Sequence, residues 1–136
     1  MNKIYKLEFP NIFLKEFVFP IPKNKLKYIL PEKRGYLWNA CCFNLSKYLY
    51  GEDAKNAYDK IDKNGAIEFQ YDNGFVGDEY TVPLKEEHNT VEKIKREGLY
   101  EFYVIGKNFE WCFVVTHELD LCGPFFIFGK NKQIEI

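Results

Sequence analysis

With 136 residues, 46% of them apolar, and with thirteen Phe, ten Tyr and two Trp, the chain is long and apolar enough to fold as a single domain, 1–136, without disulfides or metals. Its formal net charge of −1 points by itself to no class of partner. No apolar run approaches the roughly 18 residues of a membrane span, and MNKIYKLEFPNIFLKEF interrupts its apolar residues with charges and offers no small-residue cleavage site, so the expectation is a cytoplasmic protein in a reducing compartment.

Pro10, Pro20, Pro22 and Pro31 cut the first thirty residues into short pieces. IFLKEFVF (12–19) reads as one or two helical turns or a strand, and KNKLKYIL (23–30) as helical turns. LWNACCFNLSKYLY places Leu37, Cys41, Leu45 and Tyr48 at helical spacing. After Gly51, EDAKNAYDKID puts Ala54, Tyr58 and Ile61 on one face and acids in the first turn, where the helix dipole favours them. From Ala66 the period changes to two. Ile67, Phe69 and Tyr71 alternate with Glu68 and Gln70, Asp72-Asn73-Gly74 signals a tight hairpin turn, and FVGDEYTV is the return strand. Asn89-Thr-Val-Glu92 opens a capped helix that Gly98 closes. LYEFYVIG is apolar on both faces, as in a central strand. FEWCFVVTHE follows a turn at Lys107-Asn108, and PFFIFG is a last strand. The expected fold is α+β, in the order ααα-ββ-α-βββ: a mainly antiparallel sheet of about five strands with helices on one face.

Chemistry is sparsely marked. His117 ends its strand on the Trp111 and Phe113 face by parity, with Glu118, Asp120 and Cys122 close in sequence. It is a candidate general base with a neighbouring acid or thiol, or a residue that fastens the loop. HELDLC is not the helical HExxH zinc motif, and no phosphate-binding glycine loop occurs. Cys41 and Cys42 are adjacent, and Cys112 and Cys122 are ten apart, which suits free thiols rather than a metal site. No cofactor and no metal are expected. Lys23, Lys25, Lys27, Lys33 and Arg34, interleaved with Tyr28 and Tyr36, offer a phosphate-contacting patch without a recognised nucleic-acid module around it.

Charge is unevenly distributed. Residues 1–63 hold twelve Lys/Arg and seven Asp/Glu, whereas 64–136 hold seven and thirteen. The hairpin region carries the acids without any base between Lys63 and Lys85. An acidic face of Glu68, Tyr71, Asp72, Phe75, Asp78, Glu79 and Tyr80 would steer a basic partner and repel nucleic acid.

YLWNACCF (36–43), YGEDAKNAYD (50–59) and FEWCFVVTHELDLCGPFF (109–126) together resemble a family of short bacterial proteins of unknown function, over about the last hundred residues. Asn39 stands where the resemblance implies a histidine beside the tryptophan. What the resemblance implies is an immunity protein: a non-enzymatic cytoplasmic partner that neutralises a cognate toxin domain, such as a nuclease, by occluding its active site. The alternatives are a small enzyme using His117 with Glu118 or Cys122, and a regulatory nucleic-acid-binding module using the basic N-terminal half.

Overall fold

The structure is a computed structural model that describes residues 4–18, 23–71, 80–118 and 121–130. Helix α1 (Phe9–Phe17) carries Pro10 in its first turn, where a missing N–H leaves no helical bond unmade. Helices α2 (Leu26–Ile29) and α3 (Asn39–Cys42) are single turns. Strand β1 (Tyr48–Tyr50) leads into α4 (Glu52–Lys60). Then come β2 (Ile67–Gln70), β3 (Val82–Pro83), α5 (Val91–Glu97), β4 (Phe102–Ile105), β5 (Trp111–Val115) and β6 (Phe125–Phe128).

The six strands form one antiparallel sheet in the order β1-β6-β5-β4-β2-β3. Its centre is β4 and β5, in register from Phe102↔Val115 to Ile105↔Cys112 and buried at every residue. Aromatic and β-branched side chains suit such a pleated, two-sided surface. On one face Phe69, Tyr103, Val114 and Phe125 pack against Phe9, Phe13 and Phe17 of α1, Ile29 of α2 and Ala40 and Cys41 of α3. On the other, Phe102, Val104, Trp111 and Phe113 pack against Ala54, Ala57 and Tyr58 of α4 and Val91 and Ile94 of α5. Tyr58 stacks on Phe113 at 4.3 Å between ring centres.

The α+β class and the antiparallel sheet hold, with three differences from expectation. Helices cover both faces rather than one, because central strands apolar on both sides must be sealed on both. The 37–50 segment is helical only over Asn39–Cys42. Asn44 then takes a left-handed φ of 56°, and Tyr48–Tyr50 pairs with β6 as an edge strand. Tyr-Leu-Tyr gains more from that edge than from continuing a helix. The cap of α5 also shifts by one residue: the Thr90 hydroxyl, not Asn89, accepts from Lys93 N at 3.3 Å. The Asp72-Asn73-Gly74 turn lies outside the described residues, although β2 and β3 pair antiparallel as a hairpin requires.

Candidate functional site

Strand β5 stops at Val115, and the next two residues break its alternation. Thr116 is wholly buried; its hydroxyl donates to the Cys122 carbonyl and accepts from Glu118 N at 3.2 Å. This local turn redirects the chain. His117 therefore does not join Trp111 and Phe113. It lies on the opposite face, its ring 4.7 Å from Tyr36 and 5.8 Å from Trp38.

What holds it there is Glu101, the residue before β4. Glu101 takes a φ of 48°, unusual for a residue with a side chain, and its carbonyl accepts from Tyr71 N at 2.9 Å. Its side chain is buried, and the carboxylate gathers donors from three directions. Trp38 Nε1 lies 3.0 and 3.2 Å from its two oxygens, His117 N donates at 2.8 Å, and His117 Nδ1 sits at 2.7 Å. A carboxylate only accepts, so Nδ1 carries the proton in this contact. Nε2 is then the free nitrogen, 3.7 Å from Glu118 Oε1, on a ring one-third exposed. The arrangement is a fixed imidazole presenting one nitrogen outward from a Trp38–Tyr36 wall.

Beside it runs a cleft of about 600 Å³ between α1 and the turn after α2, lined by Leu7, Arg34, Tyr36, Tyr71, Glu101 and Tyr103 among others. Gly35 permits this turn: a Cβ there would stand 2.4 Å from the Tyr28 carbonyl carbon. Asn39 ties α3 to α2 through its amide, which donates to the Tyr28 carbonyl at 2.6 Å. The residue standing in place of the implied histidine thus has a structural use.

Of the acidic face expected on the hairpin, the described residues are Glu68, Tyr71 and Tyr80, and Glu68 departs from the expectation. Glu68 is 4% exposed and turned inward: it accepts from Lys85 N at 2.8 Å and faces His88 Nδ1 at 2.9 Å. Position 68 lies on the sheet face sealed by α4 and α5, so its carboxylate is a buried pin and not a rim charge. Tyr71 is half-buried against Phe9, Phe69 and Tyr103, with its hydroxyl 3.3 Å from the Lys6 carbonyl; burial raises its phenol well above the usual range. Tyr80, partly buried, packs on Tyr5 at 4.5 Å. Asp72, Phe75, Asp78, Glu79 and Asp120 lie outside the described residues.

Other candidates are placed differently from one another. Glu118 is half-exposed at the mouth of the His117 turn. Cys122 is no activated nucleophile. Burial, then Cys42 and Glu118, push its thiol up to about 11. In the basic stretch, Lys25 lies over Phe43 at 4.6 Å and Lys27 over Tyr28 at 5.1 Å. The second histidine, His88, bridges Glu68 and Glu97, with Nε2 2.8 Å from Glu97 Oε2. Burial alone would lower its pKa, but the Glu97 and Glu68 carboxylates outweigh it and hold the imidazolium above its ordinary value.

Glu101 is the residue sequence reading missed. The signal was present: in LYEFYVIG a lone carboxylate interrupts a strand apolar on both faces, and a buried acid must have partners. Among the described residues no three His, Cys, Asp or Glu side chains converge as metal ligands, and no helix is long and apolar enough to cross a membrane.

No curated protein and no solved structure matches the chain. A family model does match, over residues 13–126, beginning earlier than the three stretches that carry the resemblance. This chain belongs to the family described as Domain of unknown function (DUF4275).

Proposed function

We propose that this chain is a binding protein of the immunity type, which docks a toxin domain and occludes its active site without turnover. The observation that carries the reading is a surface. Leu7, 92% exposed, and Tyr36, 40% exposed, line the cleft beside His117, with Arg34 at the same rim and Tyr5, 48% exposed, next in the chain to Lys6. Arg34 has no ion-pair partner among the described residues. Exposed tyrosines and an arginine around a concave apolar surface have the composition of interface hot spots. The cleft thus joins the hairpin as a candidate contact face, and the buried Glu68 drops out of it.

Binding to the C-terminal domain encoded immediately upstream tests this directly. The double change Leu7→Asp with Arg34→Glu should weaken that complex by about 10–100-fold while leaving the melting temperature unchanged, since neither side chain contributes to the core. Unchanged affinity would remove the cleft from the interface. Charge reversal at Asp72, Asp78 and Glu79 tests the hairpin in the same assay, and there the expected effect is a slower association rate.

One contact favours a second reading, a small enzyme. The 2.7 Å bond from His117 Nδ1 to Glu101 is how a carboxylate orients a general base, and it leaves Nε2 to accept a proton from water or a substrate hydroxyl. In this version Glu101, rather than Glu118 or Cys122, is the partner of His117. Replacement of His117 by Gln with every phenotype retained would dispose of it.

A further inference from the structure

The cleft beside His117 ends on a buried phenol. Tyr103, in the central strand β4, is 0% exposed and forms part of the cleft wall. Neighbouring rings hold it: Phe69 stacks on it at 5.5 Å, and Phe9 and Tyr71 meet it edge to face, each at 5.7 Å between ring centres. Its hydroxyl has no hydrogen-bond partner among the described residues. The adjacent phenol differs, since the Tyr71 hydroxyl donates to the Lys6 carbonyl at 3.3 Å. A buried hydroxyl left without a partner is costly, and native chains keep few of them. On the wall of a ligand-sized cavity, such a group marks where a bound molecule is met.

We propose that this cleft binds a small aromatic carboxylate that carries a hydroxyl at the end remote from the carboxylate. Its volume of about 600 Å³ suits a small organic molecule. The rim supplies a cation: Arg34 is exposed and has no ion-pair partner among the described residues. A carboxylate paired there stays partly hydrated, and its bond to the guanidinium is charge-assisted. Between rim and floor, Leu37 and the rings of Tyr36 and Tyr71 form an apolar wall for a flat ring. At the floor the ligand hydroxyl and the Tyr103 hydroxyl share a hydrogen bond, for which either can donate.

Charge decides which end of the ligand goes in. Glu101 also lines the cleft, and its buried carboxylate repels a second anion, so the inner end is the neutral hydroxyl. Lys6 and Glu32, the other charged residues of the lining, are opposite in sign and leave Arg34 to set the preference for an anion. The inference does not rest on the partner reading and is tested on the chain alone. A molecule seated here would cover Arg34 and Tyr36, and so compete with a domain docked on the same rim.

The test is isothermal titration of the full chain with para-hydroxycinnamate, and with cinnamate as the probe that lacks the hydroxyl. Para-hydroxycinnamate should bind saturably with a Kd below about 1 mM, and more tightly than cinnamate. Tyr103→Phe should weaken para-hydroxycinnamate by about 3–10-fold and leave cinnamate unchanged. The same change should not lower the melting temperature, because the hydroxyl it removes has no partner among the described residues. Arg34→Gln should weaken both probes by about 10-fold. An absence of saturable binding, equal losses for both probes in Tyr103→Phe, or a melting temperature lowered by that change would overturn the proposal.

Discussion

Burying an ionised carboxylate costs several kcal/mol unless donors replace water around it. Glu101 has such donors in Trp38 Nε1, His117 N and His117 Nδ1. Glu101→Gln keeps the shape but turns one acceptor into an N–H, which must face a donor. The account expects a loss of roughly 1–3 kcal/mol in urea unfolding, with the chain otherwise folded. No loss would mean the three contacts do not hold the site together. His88 makes a different prediction. Its pKa is raised in the folded state by Glu97 and Glu68, so the stability it contributes is full below its unfolded value of about 6.5 and fades as pH rises through the folded value. The penalty of His88→Gln should therefore be larger at pH 6 than at pH 9. An equal penalty at both would show that the imidazolium is not the stabilising form.

At the scale of elements, two short pieces each hang on a single residue, the first beside the site and the second on the opposite face of the sheet. Gly35 lets the chain turn back on Tyr28 so that Tyr36 and Trp38 reach His117; Gly35→Ala meets backbone at 2.4 Å and should cost about 1–3 kcal/mol. Thr90 caps α5, and Thr90→Ala should cost about 1 kcal/mol, read from the same unfolding curves. These elements differ in how plainly the sequence announced them. Helix α4, β2, β4, β5 and β6 were legible, because their periodicity and flanking glycines agree with where their side chains are buried. Strand β1 was not, since Tyr48-Leu49-Tyr50 is three residues long and fits the helical spacing of the segment before it. Its pairing with β6 is a long-range gain that local pattern cannot register. The same limit explains His117. Parity along β5 placed it on the Trp111 face, and only the Thr116 turn, closed by a carbonyl six residues on, moves it across the sheet.

For the whole molecule, two covered sheet faces leave function to the edges and loops. Linear charge layout misled in one respect: Glu68 counted as acidic surface but is a buried pin to His88. Charge totals over a segment do not say which face of a strand each acid takes. The cleft went unseen for the opposite reason, because Leu7, Arg34 and Tyr36 come together only when α1 packs beside the turn after α2. Whether that surface serves a partner is what growth measures most directly. Cells expressing the C-terminal domain encoded immediately upstream should be poisoned, the wild-type chain should restore growth, and the Leu7→Asp, Arg34→Glu variant should restore it poorly. A toxic domain whose effect the wild-type chain leaves untouched would contradict the binding account.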